Sequence, residues 1–255
     1  MAQKAWYWLK RKLLPVPHVK VPTAASFTDV KAGIYAEQLT LEDAASFKRI
    51  DVSELTRSPF EAEQSPNTMQ YTGRFHHLFD WTVRTILAQS CPKRRACIVS
   101  HFIQIAEVLH QLRNFHSEFA ILSALCSTPV ERLKVTWSLV PKSRRRTFSN
   151  LCELLSWQDN FKNLLELMDP KHGPCIPYIG FFLKDVYAAH PPHETLLLML
   201  FMMEKVLSSM PFHQTVNFNH LRVWPNIQHL LEPCSEQDSK GLGSFNFMVS
   251  KELEP

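Results

Sequence analysis

The side chains able to make or break bonds in this 255-residue chain are twelve histidines, six cysteines and 24 Asp or Glu residues. Their spacing fits no bond-forming site. A serine nucleophile would need a Gly-x-Ser-x-Gly turn, a zinc hydrolase a His-Glu-x-x-His helix and a phosphate cradle a glycine-rich loop, and the sequence contains none of them. His76 with His77 and His190 with His193 are the closest histidine pairs, and neither has a third ligand at zinc spacing. Cys91, Cys97, Cys126, Cys152, Cys175 and Cys234 form no Cys-x-x-Cys pair and mostly sit beside Leu or Ile. They read as reduced core residues of an intracellular protein. No metal, no cofactor and no covalent catalysis are expected.

Two rigid corners organise the chain. Residues 114 to 133 read as a buried helix stopped at Ser127-Thr128-Pro129 and restarted at once, with Pro129 in a first turn where its missing N–H costs nothing. Residues 173 to 185 hold Pro174 and Pro177 in an extended lead-in to a further helix. Around these corners the apolar spacing is helical. Phe75, Leu78, Phe79, Val83, Ile86 and Leu87 mark one amphipathic helix, and Val99, Phe102, Ile103, Ala106, Leu109 and Leu112 mark the next. Further helices are expected over 130–139, 143–156 and 158–168, another after Thr40 as N-cap with Asp43 three residues on, and a loop over 56–72. Nothing reads as strand, so the expected fold class is all-α.

Composition agrees with a globular domain: 45% of residues are hydrophobic and 20% charged. The longest uncharged apolar run, Leu196 to Met203, is too short to span a bilayer, and lysines and arginines interrupt the apolar residues near the start. A cytoplasmic location is expected. The net charge of +4 is concentrated in residues 1–31, which hold six Lys or Arg against one Asp, so the body has no charge bias towards nucleic acid. Lys93 to Arg95 and Arg144 to Arg146 are read as solvated helix faces. Residues 1–32 form a basic, proline-containing arm. Its Trp6, Tyr7 and Trp8 beside basic side chains suit either membrane-surface contact through residues 1–20 or a segment that packs back on the domain.

The words Asn114-Phe115, Ala120 to Leu125, Pro129-Val130, Arg132-Leu133, Thr136-Trp137, Asn160-Phe161 and Pro174-Cys175-Ile176-Pro177-Tyr178 resemble the Cdc25-homology (RasGEF) catalytic domain of Ras-family guanine-nucleotide exchange factors. The resemblance begins near residue 36 and implies one domain over 33–255, with a protruding helical hairpin in the region 178–228. A neuronal exchange factor carrying a KIND domain is one similar member. The resemblance implies exchange on a Ras, Rap or Ral class small GTPase: binding the nucleotide-free partner best must weaken its hold on nucleotide. It places the second switch of the GTPase in a pocket matching Phe119, Cys126, Phe161 and Tyr178, with Thr128, Asp159 and Asn160 at its polar rim. It makes Phe181, Lys184, Asp185 and Tyr187 the wedge face of the hairpin.

The chain departs from the family pattern within that hairpin. Tyr187 and Pro191 stand where an apolar and an acidic side chain belong, so the acid is missing. The apolar run 196–203 replaces a short polar link, Pro211 is expected to close the very apolar segment 194–210, and residues 216–222 resemble the return helix, with Pro225 breaking or kinking it. The module that braces the hairpin in many members has no place among these residues. The alternative function is therefore an adaptor or binding module that holds a GTPase without opening it.

Overall fold

A computed structural model describes residues 24–55, 65–154, 162–179, 204, 207–231 and 242–255. The described residues form helices and no strand beyond one isolated bridge, so the chain is all-α. In order they are α1 (Ala24–Asp29), α2 (Ala32–Phe47), α3 (Val52–Leu55), α4 (Pro66–Leu87), α5 (Pro92–Gln111) and α6 (Phe115–Cys126). There follow α7 (Thr128–Glu131), α8 (Lys134–Leu139), α9 (Lys142–Leu154), α10 (Lys162–Leu167), a 3₁₀ turn (Pro170–His172), helical residues 207–213, α11 (Pro225–Leu231) and α12 (Leu242–Leu253).

Helix α5 is central because its apolar positions run nearly all the way round. Ile98, Val99, Phe102, Ile103, Ile105, Ala106 and Leu109 are all fully buried, and α1, α2, α4, α6, α8 and α9 pack on it. Each such large side chain contributes roughly 2 kcal/mol through burial. Pro92 opens α5 and Pro66 opens α4, both where proline's fixed φ suits a first turn. Within the expected arm, residues 24–29 form α1, whose Phe27 is fully buried against Tyr35, Trp81, His101 and Phe102. Residues 1–23 lie outside the described residues, and no helix among those described is long and apolar enough to cross a membrane.

The end of α5 is the joint on which the site depends. Arg113 takes a positive φ of 56°, and the Arg113 and Asn114 N–H groups donate to the His110 and Leu109 carbonyls. This is a Schellman stop, which usually employs glycine; a side-chain-bearing residue there costs about 1–2 kcal/mol. The Arg113 guanidinium offsets that cost by donating to the carbonyls of Leu167, Gly173 and Pro174 at 2.9, 3.0 and 3.3 Å. Asn114 then caps α6 at once, its side-chain oxygen accepting from the Ser117 N–H at 3.2 Å.

The structure corrects several sequence expectations. Thr40 does not start a helix; it is buried in the middle of α2, where its hydroxyl accepts from Asn114 Nδ2 instead of capping its own backbone. Residues 66–72 are not loop, because Pro66 starts α4 there, and residues 56–64 lie outside the description. The span 130–139 is broken at Leu133, between α7 and α8. Pro211 does not close a helix but lies within helical residues 207–213. Residues 216–224 are irregular rather than a return helix, and Pro225 begins α11 rather than kinking one. Their backbone is held instead by Gln38, which donates to Arg222 O and accepts from Trp224 N, both at 2.8 Å. Arg95 is not a solvated residue: it is fully buried, with its guanidinium on Glu254 and Thr136. The cysteines are mostly not core either. Cys91, Cys97 and Cys126 are exposed, Cys152 is half-buried and Cys175 alone of the five described is buried.

Candidate functional site

Helix α6 builds the site by having two unlike faces. Phe115, Ala120, Ile121, Ala124 and Leu125 are buried, while Phe119, Ser123 and Cys126, spaced four and three apart, line the outward stripe. Phe119 is half-buried and Cys126 exposed, so the stripe opens from a sheltered aromatic end towards solvent.

The other wall is the segment after the second corner, held extended and docked on the α5–α6 joint. Asn114 and Ile176 form a parallel bridge in which the Phe115 N–H donates to Ile176 O at 3.0 Å and the Ile176 N–H donates to Arg113 O at 2.9 Å. The hydroxyl of the buried Tyr71 donates to Pro177 O at 2.6 Å. These bonds fix Tyr178, whose ring stacks on Phe119 with centroids 4.3 Å apart and planes 21° apart. Phe75 from α4 completes the aromatic floor, 5.2 Å from Tyr178 and 6.3 Å from Phe119.

Behind this floor lies a buried polar network. Asp43 accepts from Asn114 Nδ2 at 2.9 Å, from the Ser117 hydroxyl and from Arg74 Nε at 3.0 Å, while Arg74 also reaches Glu42 at 2.7 Å. Burial alone would raise the Asp43 pKa, but Arg74 and these hydrogen bonds overcome it and hold the carboxyl below its usual range. His116 stacks on Tyr71 at 3.8 Å, and burial pushes its pKa down to about 4, which leaves the ring neutral. Glu118, fully buried, meets His110 Nδ1 at 3.0 Å. His116, Ser117 and Glu118 on the inner face of α6 meet these groups of α2, α4 and α5, which fix its position, while the outward stripe carries only weakly polar surface.

Of the residues expected at the site, the structure brings Phe119 and Tyr178 into contact. Cys126 lies on the same stripe two helical turns further on, roughly 10 Å along the axis, and Thr128 is exposed just beyond it at the start of α7. Asp159, Asn160, Phe161 and the wedge residues Phe181, Lys184, Asp185 and Tyr187 lie outside the described residues. Sequence reasoning missed Phe75, Tyr71 and Arg113. The spacing of Phe75 places it on a core face, and only the docking of the 174–179 segment brings its ring against Tyr178 and Phe119. Among the described residues no group of His, Cys, Asp or Glu could hold a metal ion.

The RasGEF domain family model matches residues 34–222, a span that contains both corners, the α5–α6 joint and the aromatic groove. The chain belongs to the RasGEF family. Relatives include the Ras-specific guanine nucleotide-releasing factor RalGPS2 of Mus musculus, 32% identical over 234 residues that cover 87% of this chain and 40% of that protein. RalGPS1 of Danio rerio is 32% identical over 237 residues, again 87% of this chain and 40% of the relative. The Ras guanine nucleotide exchange factor M of Dictyostelium discoideum is 31% identical over 166 residues, covering 63% of this chain and 18% of its own length. The chain thus spans about two fifths of the length of the RalGPS relatives. In this RasGEF domain the family match stops at residue 222, yet α12 packs on α4 and α7 beyond it, and Arg132 donates to the Ser250 and Glu254 carbonyls at 2.7 and 2.6 Å.

Proposed function

We propose that this domain accelerates GDP release from a Ras, Rap or Ral class GTPase by taking the second switch segment of the GTPase into the groove floored by Phe75, Phe119 and Tyr178. The observation that carries this reading is the Phe119–Tyr178 stack, an aromatic pair held half-open by the bridge and hydrogen bonds that dock the 174–179 segment. An apolar floor that is partly exposed and rigidly supported suits a partner's apolar anchor. Switch segments of GTPases are order–disorder elements, so a protein that binds their rearranged form lowers nucleotide affinity by linkage and needs no covalent step. The names of the relatives support a Ras-like partner, and RalGPS draws attention to Ral.

The test is release of a fluorescent guanine nucleotide from purified Ras, Rap and Ral proteins with the wild-type chain and with Phe119→Ala. Acceleration on one GTPase, cut roughly tenfold or more in the variant, is expected for an anchor of this kind. A folded chain that accelerates none of them, or a variant as active as wild type, overturns the reading.

The second reading is a module that binds a GTPase without releasing its nucleotide. The irregular backbone over 216–224, where the family resemblance places a return helix, favours it. Capture of nucleotide-free GTPase without acceleration of release would select it.

A further inference from the structure

Two thiols meet at the exposed end of the outward stripe of α6, two helical turns beyond Phe119. Cys126, the last residue of α6, and Cys152, in the last turn of α9, place their sulfurs 3.8 Å apart across 26 positions of sequence. This is close to van der Waals contact for two reduced sulfurs. Forming a disulfide bond of about 2.05 Å requires the sulfurs to close by somewhat under 2 Å. The pair is also accessible, since Cys126 is exposed and Cys152 half-buried, whereas Cys175 is fully enclosed.

We propose that Cys126 and Cys152 form an oxidisable dithiol that closes the groove to its partner. The oxidant is a hydroperoxide such as hydrogen peroxide. The Cys126 thiolate attacks one peroxide oxygen, the O–O bond breaks, and hydroxide leaves, giving a sulfenic acid on Cys126. The Cys152 sulfur then attacks the Cys126 sulfur, the S–O bond breaks, and the hydroxide takes up the Cys152 proton as water. Two thiols and one hydrogen peroxide become one disulfide and two waters.

The roles follow from the surroundings. Cys126 is the more exposed residue, and its sulfur–sulfur hydrogen bond with Cys152 holds its pKa below the usual thiol range against burial and the nearby Glu131. The same hydrogen bond, with burial, pushes the Cys152 pKa up, so Cys152 suits the resolving role. Because Cys126 shares the outward stripe of α6 with Phe119, the bond would tether the end of α9 across that stripe. The closing role rests on the groove reading above.

The experiment treats the full chain with hydrogen peroxide and reads three things: intact mass, the linked peptide pair after proteolysis under non-reducing conditions, and exchange on the responsive GTPase. The expected result is a loss of two mass units, a Cys126–Cys152 linked peptide and at least a fivefold fall in exchange, reversed by dithiothreitol. Cys152→Ser, which touches no part of the aromatic floor, is expected to exchange like wild type when reduced and to form no linked peptide. No linked peptide in the wild type, or a linked peptide with exchange unchanged, overturns the proposal. Failure of the groove reading has a separate signature: the reduced chain neither binds nor exchanges any GTPase, although the linked peptide forms. In that case the dithiol stands and its closing role is overturned.

Discussion

Arg95, in the first turn of α5, and Glu254, at the end of α12, form a buried ion pair 2.8 Å long across 159 positions of sequence. The Glu254 carboxylate also accepts from Val135 N–H at 2.8 Å, Thr136 N–H at 3.0 Å and the Thr136 hydroxyl at 2.6 Å. Burial alone would raise its pKa, and the bonds from Thr136 and Arg95 bring it below the usual range. Glu254→Gln would keep the shape but leave Arg95 buried without its counter-charge. A loss of roughly 3 kcal/mol is expected, measured by urea denaturation. A loss below about 1 kcal/mol would mean that water reaches the guanidinium and that the pair does little to hold α12.

The clasp also shows what a sequence can and cannot reveal. The first corner and the extended lead-in around Pro174 and Pro177 were legible because proline and Ser-Thr-Pro act locally, while the helix expected after Pro177 lies outside the described residues. The helix class was legible because α4 and α5 repeat their apolar residues at a helical period. Arg95 looked like part of a solvated Lys-Arg-Arg run because its partner lies at the far end of the chain. Thr40 looked like a cap for a similar reason: a hydroxyl that accepts from Asn114 carries the same local signal as one that caps a helix. The α6 cysteine looked apolar in sequence, but its face of the helix became clear only when α6 was oriented by Asn114, Asp43 and the Ile176 bridge.

Asn114 separates capping from charge. Its side-chain oxygen caps α6 while Nδ2 donates to Asp43 at 2.9 Å. Asp is as good an N-cap as Asn in an isolated helix, so capping alone predicts that Asn114→Asp is harmless and Asn114→Ala costs about 1 kcal/mol. The network predicts the reverse order, because a second carboxylate would face the buried Asp43. Thermal melts at pH 7.5 should place Asn114→Asp below Asn114→Ala. The opposite order would show that Arg74 and Ser117 hold Asp43 without Asn114.

His116 sets an acid dependence. Its ordinary pKa is 6.5 and its folded value about 4, so the unfolded chain binds its proton first as pH falls. The stability contributed by the neutral ring is therefore complete above pH 6.5 and is lost progressively between pH 6.5 and 4, up to about 3 kcal/mol in all. His77, pushed down to about 4 chiefly by burial, adds to the same window. His116→Phe keeps a ring against Tyr71 and removes one titrating group. Its unfolding free energy should fall less steeply than wild type across that window. Equal slopes would mean that the folded His116 takes up a proton as readily as the unfolded one.

Two substitutions separate the floor of the groove from its support. Tyr71→Phe removes only the hydroxyl that holds Pro177 O at 2.6 Å, leaving a buried carbonyl without that donor; the expected cost is about 1–2 kcal/mol of stability. Because the Asn114–Ile176 bridge and Arg113 still dock the segment, nucleotide release should slow by only a few fold. Phe119→Leu does the opposite. It keeps apolar bulk on a half-buried position but removes the stack on Tyr178, so stability should change by less than about 1.5 kcal/mol while release slows about tenfold. The two variants should therefore rank in opposite order by melting and by exchange. If the same variant is worse in both, the aromatic pair acts only through the stability of the fold, and the proposed docking of a partner on Phe119 and Tyr178 is overturned.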